Sequence, residues 1–446
     1  MTRAAVALLV LCGMLLPASA GASAHRFKLR AGPYSIGRYG TKFPDRGIAT
    51  PKVKGFVTHM HARLVDGAGR PVPVTTGMLH HVLFINLGRA MVPNGCSASR
   101  HEGFYGTGEE DQALDLPAGY GYRLRRSDRW RMTAMVMSHR YQRAGVYVEY
   151  SGTVDTSRAL TGVRPFWVHA NGCGSSVYNV FGGGAAGAIT DRVNHWTAPI
   201  TGRIVAAGGH LHAGAVGLQL RDPACGDRTL FDTTPYYAGP DDQLYHAYPF
   251  LHEPGPVQTS SFSSAAGIPV AKGQPLDLHG LYENTYARQS VMAIVHIYIA
   301  PGGPPPVGCP PPPADARRAA MRPGLRPSAP YQPIPLYRLD SRHLPVVLPE
   351  PEGPTQPLAD GSTIALRAYR FQPFEKVAIK AGTTINWRFD DVATHNLTLA
   401  SGPSALAGET LHRGGRASTQ FNTPGRYQLF CYLHPMTMHE QIDVVR

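Results

Sequence analysis

From Ala300 to Pro335 the chain reads APGGPPPVGCPPPPADARRAAMRPGLRPSAPYQPIP. Proline at this density fixes φ, withholds backbone donors and cannot build a core, so an extended, semi-rigid spacer is expected here. Such a spacer forces the polypeptide into separate units, a large portion over residues 30–300 and a compact one over 340–446. A further boundary is expected near Ser151–Arg164, leaving about 130–140 residues on each side, a fair size for one domain. The expected layout is 30–160 and 161–300 as two domains, 301–338 as linker and 339–446 as a third domain.

Gly (49) and Pro (40) exceed average usage and punctuate short runs of Val, Ile, Tyr and Thr, while long stretches of 3.6-residue periodicity are hard to find. That pattern predicts an all-β protein: two jelly-roll-like β-sandwiches followed by a Greek-key β-sandwich. The first residues, MTRAAVALLVLCGMLLPASAGASA, carry one Arg, an apolar run from Ala4 to Pro17 and small-residue sites. They read as a secretory signal over 1–24, with cleavage after Ala20 or Ala24. No later stretch approaches the ~20 apolar residues of a membrane span. A secreted, periplasmic or cell-surface protein is expected.

The net charge of +13 comes mostly from scattered arginines. Without a basic cluster interleaved with aromatics, it argues for solubility or attraction to anionic surfaces and against nucleic acid as a partner. Of six cysteines, Cys12 leaves with the signal. Cys96, Cys173, Cys225 and Cys309 suit two disulfides in an oxidising compartment, with three connectivities open. A Cys225–Cys309 bridge would pin the last strand of the second sandwich.

The segment TTINWRFDDVATHNLTL places His395 after a strand and a polar turn. The terminal GRYQLFCYLHPMTMHEQIDVV gives a strand, a loop carrying Cys431, His434, Met436 and Met438, and a last strand. One thiolate, two imidazoles and a thioether suit copper cycling between its two oxidation states, whereas a thioether is a poor partner for zinc. Residues 340–446 resemble the cupredoxins (plastocyanin, amicyanin and pseudoazurin). The resemblance implies one type 1, blue copper held by His395, Cys431, His434 and an axial methionine. Met438, four residues after His434, fits best, with Met436 as the alternative.

Four further groups stand out upstream: His80-His81 at the start of an apolar strand, His139 at the end of another, His210 and His212 in AAGGHLHAGAVGLQL, and Met292 in NTYARQSVMAIVHIYIA. Adjacent residues on a regular strand face opposite ways, so His80 and His81 can share one ion only where the backbone is irregular. Positions i and i+2 share a face, so His210 and His212 need no distortion. Singly, each histidine has an ordinary place at a strand end or in a hydrogen-bonded core, and a strand methionine usually packs. In order, they resemble the copper type II, ascorbate-dependent monooxygenases of the peptidylglycine and dopamine hydroxylase family over residues 30–300. LPAGYGYRL and LHGLYENT resemble family segments too. By that resemblance His80, His81 and His139 hold an electron-transfer copper. His210, His212 and Met292 form the catalytic set, holding the copper at which oxygen is activated.

The expected function is thus a copper-dependent monooxygenase acting with O2 on a small-molecule or exposed organic substrate. An external reductant or redox protein supplies electrons, and a blue-copper domain is attached. The alternative is a non-enzymatic copper carrier or electron-transfer protein with a monooxygenase-like scaffold. Gly208 stands where the family's peptide-binding arginine would be, and Ile294 and His296 occupy other substrate-contact positions, which argues against peptidylglycine. His59-Met60-His61 reads as a half-exposed strand pair. His25 becomes an amino-terminal copper chelator only if cleavage follows Ala24. No nucleophile elbow, paired-carboxylate signature or acid–base carboxylate stands out.

Overall fold

The computed structural model describes residues 24–446 apart from 38–39, 92–95, 97–99, 140–142, 157–159, 181–184, 186, 240, 247–252, 286–287, 329–336, 340–344, 348–352, 407–411, 432–433 and 435–437. The expected signal segment and Met436 therefore lie outside the described residues, apart from Ala24. The described chain is β-structure with two short 3-10 turns, and no helix is long and apolar enough to cross a membrane. The all-β sandwich expectation holds.

Strict inside–outside alternation builds the sheets. In the Trp130–Ser138 strand, Trp130, Met132, Ala134 and Val136 are buried and the residues between them are half-buried. Three large apolar cores result, with a smaller cluster of Met78, Met137, Ala238, Leu244 and Tyr245 beside them. The first closes around Trp130, Phe84, Phe104, Tyr122 and Tyr150, with Phe104 and Tyr122 stacked at 4.7 Å. The second gathers Trp196, Phe166, Leu218, Leu278 and Val295, and the third Trp387, Phe371, Phe421 and Tyr427.

The first two cores share a sheet. Strands Ala24–Ile36, Arg143–Asp155, Gly55–Val65 and Tyr120–Leu124 run on into Thr161–His169, Arg288–Pro301, Gly202–Leu211 and Ser261–Val270 in one 11-stranded sheet. The join is the parallel pairing of Tyr120–Leu124 with Thr161–His169. The facing layers are separate: Thr41–Lys42, Trp130–Ser138, Gly77–Ala90 and His101–Gly108 cover the first core. Ile189–Thr197, Pro275–Glu283, Ala215–Asp222 and Arg228–Thr233 cover the second. A five-stranded and a four-stranded sheet enclose the third core, with parallel pairs at Lys376–Lys380/His439–Val445 and Thr363–Arg367/Thr383–Phe389.

Disulfides join Cys96 to Cys173 and Cys225 to Cys309. The described first part of the proline-dense spacer is fastened to the second core. Arg317–Arg318 pairs with Phe262 and Ser263, Asp315 accepts from Ser264 Oγ and the Ala265 and Ala266 amides, and Arg326 bridges Tyr237. Proline cannot extend a ladder, so the fastening falls on the residues between prolines. Cys225 and Cys309 are separated by 84 positions, a loop whose closure contributes roughly 4–5 kcal/mol in the chain-entropy model. A Cys225→Ala/Cys309→Ala double variant should lose nearly that much unfolding free energy in urea denaturation, while unchanged denaturation would show that the bridge adds nothing to these contacts.

Candidate metal centres

In the third sandwich the Thr383–Phe389 strand ends at Asp390, and a polar turn carries the chain to His395. Reciprocal backbone hydrogen bonds of 2.8 Å to His412 fix His395 in place. Cys431 follows the Gly425–Phe430 strand, and the loop is wound by its own backbone. His434 N donates to Cys431 O at 3.0 Å, Met438 N to His434 O at 3.1 Å, and Cys431 N to Met438 O at 3.2 Å.

Three ligand atoms converge. Cys431 Sγ lies 3.6 Å from His434 Nδ1 and 3.8 Å from His395 Nδ1, and the two nitrogens are 3.1 Å apart. Ligands about 2.0–2.3 Å from one ion stand roughly 3–4 Å from each other, so the spacing fits a shared metal. Asp391 Oδ2 lies 3.1 Å from His395 Nε2. Burial works to raise the Asp391 pKa, but the contact with His395 and the amides of Tyr369 and Ala393 bring it down to about 2. An ionised Asp391 holds the proton on Nε2 and leaves Nδ1 as a lone-pair donor toward the cysteine. Burial, with His395 alongside, lowers the His434 pKa and keeps that ring in the neutral, ligating form. The Asn396 amide approaches Cys431 Sγ at 3.5 Å, which favours the thiolate. Met438 is fully buried in the same core.

A Greek-key sandwich with a buried cysteine sulfur and two imidazole nitrogens aimed at one point defines a cupredoxin-like, copper-binding domain. Amicyanin-alpha of Methylorubrum extorquens is 35% identical to the chain over 79 residues, 17% of this chain and 66% of that protein, just under two thirds of its length. Among solved structures, a purple cupredoxin from Nitrosopumilus maritimus is 24% identical and matches 19% of this chain and 99% of its own, with a TM-score of 0.17. Amicyanin from Paracoccus versutus is 25% identical, matching 20% and 84%, also with a TM-score of 0.17. No protein-family model matches the chain.

A second gathering of histidines lies between the first two cores. Against the Trp130–Ser138 strand, the register shifts between Leu79 and His81. This is the backbone irregularity that adjacent histidines need to share a side. The rings of His80 and His81 have centroids 5.4 Å apart. From the Gly202–Leu211 strand and its end come His210 and His212, 5.1 Å apart. The two pairs meet: His80 is 5.2 Å from His212 and His81 is 6.3 Å from His210. The four imidazoles therefore form one cluster, where the sequence led to the expectation of two separate sites.

Two carboxylates orient the cluster. Glu109 Oε1 lies 2.6 Å from His80 Nδ1 and Glu110 Oε2 lies 3.0 Å from His210 Nδ1, Glu110 being buried and Glu109 partly so. His81 Nδ1 and His210 Nε2 are buried without a hydrogen-bond partner among the described residues, which leaves both nitrogens able to ligate a metal. Burial, together with His80 and His210, holds the His81 pKa well below the ordinary value. For His210 burial pulls downward, but the charge and hydrogen bond of Glu110, with Glu109 beyond, outweigh it and raise the pKa. Gly108 admits this closeness: a Cβ there would stand 2.4 Å from His80 O and 3.0 Å from His210 Cε1.

Met292 is placed beside His212 by register. His210 pairs with Ile294 across the Arg288–Pro301 strand, so His212 comes opposite Met292. Tyr282 links them, its hydroxyl donating to Met292 O and accepting from His212 N. Val291, Ala293 and Val295 point into the second core, and Met292 takes the other face. His139 is buried, with Nδ1 2.6 Å from Val74 O. His59 and His61 each engage their own aspartate, Asp115 at 2.6 Å and Asp111 at 2.7 Å. A Cβ at Gly208 would meet the Gln112 side chain at 2.5 Å, so a larger residue there collides with Gln112.

Glu109, Glu110 and Tyr282 escaped the sequence reading. Glu109-Glu110-Asp111 looks like any solvated turn after a strand, and only the packing of the second sandwich buries the two glutamates. Glu110→Gln keeps the volume and removes the charge that orients His210. Copper(I) affinity at this cluster should fall 10–100-fold in competition titrations, the usual effect of losing such a partner. An unchanged affinity would reduce Glu110 to packing.

Proposed function

We propose that the chain is an exported copper-dependent monooxygenase that hydroxylates an organic substrate with O2 and carries its own blue-copper electron donor. The observation that supports this most is the convergence of His80, His81, His210 and His212 from two sandwiches, with Met292 beside His212. Copper bound there supplies the one-electron chemistry that activates oxygen. The protein's part is to hold the imidazoles close together, orient them through Glu109 and Glu110, and exclude water by burial. In this reading His80, His81 and His139 serve one copper, and His210, His212 and Met292 the second, where substrate reacts. His395, Cys431, His434 and Met438 hold the blue copper, which takes electrons from an external reductant or redox protein. The two disulfides accord with a secreted, periplasmic or cell-surface location.

A second reading, a copper carrier or electron-transfer protein, is favoured by the merging of the histidine pairs into one cluster. That closeness suits storage of copper as well as catalysis. Copper stoichiometry with electron paramagnetic resonance, run alongside ascorbate-driven oxygen uptake, separates the two. Three coppers, one blue and two non-blue, with oxygen uptake support the oxygenase. Copper at the cluster with no oxygen uptake sinks it and leaves the carrier.

A further inference from the structure

On the outer face of the second sandwich, on the side of the strand opposite its core, His279 and two aspartates form another candidate ligand set. His279 and Asp277 lie on the Pro275–Glu283 strand, two residues apart and so on one face. Asp227 comes from the turn before the Arg228–Thr233 strand, and one ligand atom from each residue lies within 4.8 Å of the others.

The state of His279 singles this set out from an ordinary polar surface. Its side chain is 9% exposed, and Nε2 is buried with no hydrogen-bond partner among the described residues. The other ring nitrogen is engaged, Nδ1 lying 2.9 Å from Asp191 Oδ2. Asp191 stands opposite Leu281, two residues up the strand from His279, and Asp277 stands two residues down it. A ring that gives Nδ1 to Asp191 therefore turns Nε2 toward Asp277 and Asp227. A carboxylate that fixes the Nδ1 proton and leaves Nε2 bare is the arrangement behind most metal-binding histidines.

We propose that His279 Nε2, Asp277 and Asp227 bind a borderline divalent cation such as zinc, with Asp191 as the positioning residue. Imidazole with two carboxylates suits zinc better than calcium or magnesium, which prefer all-oxygen shells. Arg221 Nη1 is 2.8 Å from Asp227 Oδ2 and His195 Nδ1 is 2.7 Å from Asp277 Oδ1, while Asp191 holds His279, so three aspartates meet one permanent cation and negative charge remains for the ion to neutralise. Zinc bonds of about 2.0–2.2 Å draw ligands to roughly 3.3 Å of each other, a closure that the half-exposed Asp227 turn can supply. Cys225 is in that same turn and bridges to Cys309 at the start of the proline-dense spacer. The ion would lock the turn to which the spacer is bridged.

The test is zinc content of the metal-stripped full-length protein after incubation with zinc chloride and desalting, by elemental analysis. Wild type should retain one zinc more than Asp227→Asn or His279→Gln. Asp191→Asn should keep that zinc but bind it 10–100-fold more weakly in a chelator competition. Asp227 has φ +56°, a conformation asparagine also tolerates, so Asp227→Asn keeps the turn. A urea unfolding curve equal to that of metal-free wild type verifies the fold. Equal zinc content in wild type, Asp227→Asn and His279→Gln overturns the proposal.

Discussion

Cys431→Ala should abolish the blue absorption of the copper-loaded, oxidised protein completely, because the colour is charge transfer from a thiolate and no other thiolate is at hand. Cys96, Cys173, Cys225 and Cys309 are all in disulfides, leaving Cys431 as the one described cysteine outside a bridge. The Sγ sits within 4 Å of both His395 Nδ1 and His434 Nδ1, so no neighbouring donor replaces it. Met438→Leu should do something different. The axial bond in such sites is long and weak, so the site should stay coloured while its reduction potential shifts. Met438 is fully buried, and leucine conserves its volume, with a stability cost below ~1.5 kcal/mol. Visible spectra and redox titration of the two variants are sufficient. Residual blue colour in Cys431→Ala would refute the thiolate assignment, and a potential that moves with Met436→Leu but not Met438→Leu would reassign the axial ligand.

The two halves of this chain were legible to different degrees for a physical reason. In the third sandwich, Cys431 and His434 are three residues apart, and one loop, closed by its own backbone bonds, delivers both. Local sequence therefore carries most of the geometry, and His395 alone must come from elsewhere. The upstream cluster depends on long-range packing. His80 and His212 are 132 positions apart by number, and their 5.2 Å approach exists because the Thr161–His169 strand extends the first sandwich's sheet into the second. Strand alternation predicted that His210 and His212 share a face. It also stated the condition for His80 and His81, and the shifted register at Leu79/His81 meets it. What periodicity cannot encode is which faces meet, so the merging of the pairs and the burial of Glu109 and Glu110 were not readable. The spacer shows the same limit: its proline content announced extension, but the contacts of Asp315, Arg317 and Arg326 belong to the surface it crosses.

Met292→Leu should remove ascorbate-driven oxygen uptake while leaving the fold and the blue copper intact. If Met292 is only packing, leucine of similar volume should cost less than ~1.5 kcal/mol and change little else. Its position argues for more than packing. The second core takes Val291, Ala293 and Val295, whereas Met292 shares the opposite face with the residues aligned to His210 and His212. Tyr282 ties the Met292 carbonyl to the His212 amide, so a change of side chain here leaves the backbone held. The thioether is a soft donor that favours reduced copper, the form that reacts with oxygen. Its loss should therefore lower copper(I) occupancy at the cluster and bring oxygen uptake down to that of the copper-free protein. His210→Ala should give the same loss of uptake but with an added stability cost, because Glu110 is then left buried without its partner. Copper(I) titration, oxygen electrode traces and melting temperatures on wild type, Met292→Leu and His210→Ala give the comparison. Oxygen uptake that survives Met292→Leu at the wild-type rate would return this methionine to the core and take from the oxygenase reading its most specific residue.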